Sequence, residues 1–166
     1  MDSRLQRLYD AVTSATRGMT QEQLLRHPEE KWCCAEILEH LLLTYTGTIK
    51  AMELCLQSGK PVARVPTFKE RIGIFVVTGL GYMPEGRTAP ERARPRGMDA
   101  AQVAAEIGPK LVAMDEIISE CEVRFGRRAR VREHPILGPL TCEQWRTFHV
   151  VHGEHHLKQI ERLKGS

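Results

Sequence analysis

The chain has 166 residues, of which 42% are hydrophobic, 27% charged and only 5% aromatic. Length and composition together predict one globular domain over residues 1–166 and exclude disordered and collagen-like chains. The formal net charge is +3 when all seven histidines are counted as neutral. Because aromatic residues are scarce, the core must rest on aliphatic side chains, which favours helices over a β-sandwich.

Amphipathic periodicity predicts three helices in the first half of the chain. Apolar residues recur at helical spacing over residues 2–16, and Thr20-x-x-Gln23 has the pattern of a capping box. A long helix is predicted from Cys34 to Ser58, where Gly59-Lys60-Pro61 ends it. A third helix is predicted from Pro66 to about Val77, although its β-branched residues also suit a strand.

The second half begins with a long loop and continues with two helices. Gly79–Gly97 is rich in Gly and Pro and has no periodicity, so we predict an extended loop of the kind that is often functional or flexible. Asp99 caps the next predicted helix, which Gly108-Pro109 is expected to kink. His134–Pro139 is rich in turn residues, and Thr141-x-x-Gln144 caps a final helix that continues to about Lys164. The predicted fold is all-α, a four-helix bundle with extra short helices.

Two clusters of arginines hold most of the positive charge. One lies between residues 87 and 97 and the other between residues 124 and 132, and the rest of the chain is mildly acidic. Clustered arginines can neutralise nucleic-acid phosphates. These clusters have almost no interleaved aromatic residues, so we expect solvated loops and rank nucleic-acid binding as a distant third hypothesis.

The sequence predicts a cytoplasmic protein without a membrane segment. The N-terminal residues lack the apolar stretch of a signal peptide, and the apolar run Gly73–Met83 is too short to span a bilayer. The five cysteines form no CxxC motif and no regular framework. Reduced thiols are therefore expected.

The final helix contains four of the seven histidines, between His149 and His156. His152 and His156 are one turn apart, so their imidazoles point the same way and can reach one ion. The pattern is not HExxH, because Gly153 follows the first histidine and Glu154 points away from the histidine face. Core histidines that are merely hydrogen-bonded are the alternative interpretation.

A third ligand must come from another helix, and His40 is the candidate. It lies beside the apolar stripe of the Cys34–Ser58 helix, where an unpaired titratable side chain is costly to bury. Three imidazoles with open coordination positions suit Zn, Ni, Fe or Co, and this ligand set does not choose among these divalent ions.

The remaining candidates are given supporting roles. We expect His149 and His155 to support the ligands by hydrogen bonds or to face solvent, because their directions diverge from the face of His152. His27 and His134 each precede a proline and are predicted to be turn residues. Glu36, one turn before His40, is a candidate partner of that imidazole, although a surface carboxylate is the alternative.

Three segments together resemble a known superfamily over nearly the whole chain. They are Trp32 with Glu36–Leu41, the segment His134–Trp145, and His152-x-x-His155-His156-x-x-Gln159. They are similar to the DinB-like (YfiT-like) superfamily of metal-binding proteins, and the middle segment resembles a bacterial branch of uncharacterised function. The resemblance implies a four-helix bundle in which His40, His152 and His156 bind a divalent metal ion.

The resemblance also implies candidate activities. Characterised members include metal-dependent thiol transferases and a thiol-dependent isomerase that use low-molecular-weight thiols, and relatives often dimerise. The first hypothesis is therefore a metal-dependent transferase that acts on a small thiol or another nucleophile, with a homodimer as a candidate assembly. The second hypothesis is a non-catalytic module that binds a metal or a small molecule. No catalytic residue beyond the ligands is identified.

Overall fold

A computed structural model describes residues 1–29, 31–61, 64–84, 86 and 88–164, and it is mainly helical with one small sheet. Arg87, part of the first arginine cluster, lies outside the described residues. The described residues form six α-helices: α1 (Ser3–Thr16), α2 (Gln21–Leu25), α3 (Cys34–Ser58), α4 (Phe68–Ile74), α5 (Ala100–Phe125) and α6 (Cys142–Lys164).

The helix ends confirm most of the predicted boundaries. Thr20 and Gln23 form a capping box at α2, and the Asp99 side chain accepts a hydrogen bond from the Gln102 backbone at the start of α5. The long helix α3 ends at Gly59, whose φ of 70° is left-handed and therefore suits glycine. Thr141 caps α6 as predicted, because its hydroxyl accepts from the Gln144 backbone amide at 3.3 Å.

The third predicted helix is shorter than expected as an α-helix, and its C-terminal part is π-helical. The helix α4 begins after Thr67, which forms a capping box with Glu70, and it continues into a π-helical turn at Phe75–Gly79. The following segment, predicted as a loop, contains a short 3₁₀ turn at Glu91–Ala93. Ala93 is buried, so this part of the loop packs against the helices.

The prediction of an exclusively α-helical fold is wrong at one place. Residues Arg130–His134 (β1) and Gly138–Thr141 (β2) pair as an antiparallel hairpin. The second arginine cluster is therefore only partly a solvated loop: it begins in the last turn of α5, Arg127 and Arg128 are exposed in the turn that follows, and the cluster continues into β1. The physical reason is burial, because Val131 and Leu140 are fully buried in the core and the two strands satisfy each other's backbone groups.

Four long helices surround the main apolar core. The helix α3 packs chiefly against α5, and α1 packs chiefly against α6. The fully buried aliphatic side chains come from α1, α3, α5, α6 and the hairpin: Leu5, Leu41, Met52, Val103, Met114, Ile118, Val131, Leu140 and Ile160. All five cysteines are buried and free. Within the part of the chain that is described, no helix has the length and apolar character needed to cross a bilayer.

A buried ion-pair network joins α5 to α6. The Arg146 guanidinium donates to Asp115 at 2.7 Å and to Glu122 at 2.5 Å, and it also donates to the Ser119 hydroxyl. Asp115 accepts in addition the backbone N–H of Asp2, which precedes α1. Because both charges of the Arg146–Asp115 pair are buried and multiply hydrogen-bonded, this network holds the start of α1 and the first turns of α6 against α5.

Candidate metal centre

Three histidine side chains from two helices meet inside the protein. His40 lies on α3, and His152 and His156 lie one turn apart on α6. The His152 Nε2 atom is 3.0 Å from the His40 Nε2 atom and 3.1 Å from the His156 Nε2 atom. All three side chains are buried, and their ligand atoms lie close enough together to hold one metal ion.

The hydrogen-bond partners of the Nδ1 atoms of His40 and His156 determine which ring nitrogen of each histidine carries the hydrogen. The His40 Nδ1 atom lies 2.6 Å from the Ala93 carbonyl oxygen, and the His156 Nδ1 atom lies 2.8 Å from the Gln159 side-chain oxygen. Both oxygens can only accept, so each Nδ1 carries the hydrogen and each Nε2 presents a lone pair. The Nε2 atoms of His40 and His156 therefore turn two lone pairs toward the His152 Nε2 atom.

This arrangement fits a cation better than it fits a self-contained hydrogen-bond network. A neutral imidazole has one N–H, so His152 can satisfy only one of the two lone pairs that face it. The His152 Nδ1 atom is buried and has no hydrogen-bond partner among the described residues. Imidazole nitrogens bound about 2.05 Å from one ion in tetrahedral geometry lie roughly 3.3 Å apart, close to the observed separations.

Burial keeps the three imidazoles neutral. Burial lowers the pKa of His40, and burial together with the neighbouring His40 imidazole lowers the pKa of His156 to about 3. Burial and the adjacent histidines also hold the pKa of His152 well below its usual value. Neutral imidazole is the form that binds metal, so at physiological pH no proton has to be removed before an ion is bound.

The neighbour of His40 on α3, Glu39, organises the backbone beside the site. The Glu39 carboxylate is buried and accepts backbone N–H groups from Arg96 at 2.6 Å, Gly97 at 3.1 Å and Met98 at 3.0 Å. This anchors the segment that follows Ala93, whose carbonyl orients His40. Sequence reasoning missed this role of Glu39, and its only signal was an acidic residue beside the apolar stripe of a helix.

Aromatic rings cover the histidines on two sides. The Trp32 ring centroid is 5.0 Å from that of His40 and 6.4 Å from that of His156, and Trp32 is half-buried. The Phe148 ring stacks on His152 at 5.2 Å, and Phe148 is buried. Trp32 is therefore the covering ring that reaches solvent.

The other histidines lie outside this group. His149 is buried and its Nε2 atom is 2.9 Å from the Thr48 hydroxyl, so it supports packing between α6 and α3. His155 is half-buried, with its Nε2 atom 3.1 Å from the side-chain nitrogen of Gln159. Gln159 thus connects His155 to the ligand candidate His156.

The two histidines predicted in turns differ in their surroundings. The His134 Nδ1 atom accepts backbone N–H groups of Ile136 and Leu137, as expected of a turn residue, but its ring is also buried against Phe148. His27 is exposed beside Glu36. The suggestion that Glu36 supports His40 is wrong, because the Glu36 carboxylate instead accepts the Cys33 backbone N–H at 2.9 Å and caps α3.

A second group of metal-ligating residues lies at the start of α3. His27, Cys33 and Glu36 place one ligand atom each within 4.8 Å of the others. This group differs from the histidine group because His27 is exposed and the Glu36 carboxylate is already used as a cap. The buried group of three histidines is therefore the better candidate for a metal centre.

Fold and site together define a mainly helical protein with a buried histidine group that could hold a metal ion. The chain belongs to the family described as protein of unknown function DUF1569, which matches residues 1–163. No curated protein and no solved structure matches the chain.

Proposed function

We propose that this protein is a divalent-metal-binding four-helix bundle of the DinB-like type that acts as a metal-dependent transferase on a small thiol or another nucleophile. His40, His152 and His156 are the proposed ligands. The observation that carries the proposal is the convergence of three buried Nε2 atoms. The Nδ1 hydrogen bonds of His40 to Ala93 and of His156 to Gln159 leave the Nε2 atoms of these two histidines unprotonated, each with a free lone pair. The main packing contacts of α3 with α5 and of α1 with α6 support the bundle.

The geometry of the ligands supports an open site. Three protein ligands leave further coordination positions free, which is the arrangement of catalytic rather than structural metal sites. Bound there, a divalent ion would supply Lewis-acid chemistry that favours the deprotonated form of a thiol. The half-buried ring of Trp32 lies against two of the ligands, so we place the approach of the substrate along Trp32.

Elemental analysis tests the metal centre. Untagged protein is purified, incubated separately with Zn, Ni, Fe(II) or Co, dialysed and measured for bound metal. We expect about one ion per chain for at least one of these metals, and none in the triple variant His40→Ala/His152→Ala/His156→Ala. The single variant His152→Ala should bind the metal at least tenfold more weakly, since it removes one of three ligands.

The control is His27→Ala, which removes an exposed histidine of the second group. It should keep the wild-type metal content. Circular dichroism confirms that each variant is folded. Equal metal content in the wild-type protein and in the folded triple variant would refute the ligand assignment.

A thiol assay separates the transferase from a non-catalytic module. Metal-loaded protein is mixed with a panel of low-molecular-weight thiols and an electrophile, and thioether formation is followed by mass spectrometry. For the transferase we expect turnover that disappears both in His152→Ala and after chelation. Metal binding without turnover of any thiol in the panel would favour the alternative, a module that only binds its metal or a small molecule.

A further inference from the structure

A cleft of about 270 Å³ lies away from the histidines, where α4 and the π-helical turn meet the hairpin and the start of α6. Its polar lining consists of Arg71, Thr78, Arg130 and Gln144, and Ile74 and Phe75 contribute apolar surface. Gln144 lies in the first turn of α6, about 12 Å along that helix from His152. The cleft is therefore separate from the candidate metal centre.

The two arginines of the cleft differ from the structural arginines of this protein. Neither the Arg71 nor the Arg130 guanidinium forms an ion pair or a side-chain hydrogen bond with any of the described residues, although the backbone of Arg71 donates to Thr67 and that of Arg130 pairs with Thr141. Arg64 and Arg146, in contrast, are each paired with carboxylates. Among the residues that the structure describes, none that lines the cleft is acidic. Two guanidinium groups that line one cleft and have no carboxylate side chain as partner suit a carboxylate ligand, which their planar forks bind through paired hydrogen bonds.

Gln144 adds a donor of fixed orientation. Its side-chain oxygen accepts the Thr141 backbone N–H at 3.0 Å, so the oxygen is occupied and the NH₂ group is left to donate. The Thr78 hydroxyl donates to the Ile74 carbonyl at 2.8 Å. The N–H donors of the cleft therefore come from Arg71, Arg130 and Gln144, from three different elements.

The π-helical turn shapes the apolar side of the cleft. π-Helical turns are rare and are often found at functional sites. Here the Phe75 ring lies over Gly79, where a Cβ atom would be 2.8 Å from the ring. Phe75 is 61% exposed, while the preceding residue Ile74 is buried. An exposed aromatic face next to unpaired cations suits a ligand that has both an apolar part and a negative charge.

We infer that this cleft binds a small organic carboxylate with an apolar chain or ring. Arg71 and Arg130 hold the carboxylate with help from the Gln144 NH₂ group, and Ile74 and Phe75 contact the apolar part. The cleft volume is just below the range of roughly 300–1,000 Å³ that is usual for small-molecule sites, which limits the ligand to a small molecule. This binding does not depend on the metal centre.

Titration calorimetry with matched probes tests the inference. Hexanoate and 3-phenylpropionate are compared with their neutral amides and with inorganic phosphate, which has charge but no apolar part. We expect both carboxylates to bind the full-length protein at least tenfold more tightly than the amides and than phosphate. Equal binding of carboxylate and amide, equal binding of phosphate, or no binding at millimolar concentration would overturn the inference.

Variants locate the binding. Arg71→Gln and Arg130→Gln should each weaken carboxylate binding at least tenfold, whereas the controls Arg127→Gln and Arg128→Gln, at exposed arginines of the same region, should not change it. Phe75→Ala should weaken 3-phenylpropionate binding but not acetate binding. Unchanged binding in both cleft arginine variants would refute the assignment. Binding should persist in His152→Ala, so this test and the metal test fail independently.

Discussion

The position of His40 depends on the residue before it in the chain. Glu39 carries a buried carboxylate that accepts three consecutive backbone N–H groups from residues 96–98. Hydrogen bonds to a charged group are each worth about 1.5–3 kcal/mol, so this carboxylate ties the segment firmly to α3. Ala93, whose carbonyl orients His40, lies shortly before this segment, so the Glu39 carboxylate also helps to fix the position of that carbonyl.

Glu39→Gln should therefore both destabilise the fold and weaken metal binding. The amide has only one acceptor oxygen, and its NH₂ group would face backbone donors in a buried place. We expect the free energy of unfolding to fall by about 2–4 kcal/mol in urea denaturation and metal affinity to fall about tenfold. Glu53→Gln, at an exposed position of the same helix, is the matched control and should change neither quantity. Wild-type stability and affinity in Glu39→Gln would show that the carboxylate does not support the site.

At the scale of elements, a glycine on α6 allows this helix to approach α1 closely. Gly153 directly follows His152 on α6 and is buried against Leu8 of α1. A Cβ atom at Gly153 would lie 2.8 Å from Leu8 Cδ1 and 3.0 Å from Leu8 Cγ, which is closer than packed carbon atoms approach. The glycine therefore allows α6 to bring its histidines into the core at this depth.

Gly153→Ala should force α1 and α6 apart. Overpacking of this kind typically costs about 1–3 kcal/mol, which here exceeds the gain of up to about 1 kcal/mol in helix propensity. Thermal and urea unfolding of Gly153→Ala, Leu8→Ala and the double variant form a cycle. We expect the double variant to be more stable than the sum of the single effects by at least about 1 kcal/mol. Strict additivity would show that the contact does not limit the approach of the helices.

At the scale of the whole molecule, buried neutral histidines make stability depend on pH. Burial lowers the pKa of both His134 and His149 to about 3, whereas the ordinary histidine value is about 6.5. Below pH 6.5 the unfolded chain takes up protons that the folded protein does not bind. The free energy of unfolding therefore decreases as pH falls from 6.5 toward 3, by up to about 1.4 kcal/mol per pH unit for each such histidine.

Urea denaturation of metal-free protein between pH 7.5 and 4.5 tests this expectation. The midpoint should be nearly constant above pH 7 and should fall steeply below pH 6. His149→Gln should reduce the slope below pH 6 by about one proton, although it also disturbs the hydrogen bond to Thr48. A midpoint that is flat down to pH 4.5 would mean that these histidines are not buried as neutral groups.

Most helix boundaries and two of the three candidate ligands could be predicted because they depend on short-range geometry. Capping residues and apolar periodicity locate helix ends, so Thr20, Asp99 and Gly59 were sufficient to place boundaries. The spacing of His152 and His156 on one helix guarantees that their side chains point the same way. These features need no knowledge of what the helix packs against.

The hairpin was not predicted from the sequence, because its strands are short and because the burial of its apolar residues depends on packing against the helices. The strands β1 and β2 have five and four residues, and arginines occupy two of the β1 positions. Val131 lies between two arginines, whereas Leu140 lies between the buried Pro139 and Thr141, so the two strands share no clear alternating pattern at this length. Only packing against the helices shows that these two residues belong to the core.

The sequence by itself determined a mainly helical chain with a histidine pair on one face of its last helix. Apolar periodicity and helix capping depend only on residues a few positions apart in the chain, so they can be recognised without the fold. The tertiary structure alone decided that His40 meets this pair, that Ala93 and Gln159 direct lone pairs inward, and that two arginines share a separate cleft. These relations join residues far apart in the chain, and their geometry follows from how helices and loops pack, which local patterns do not encode.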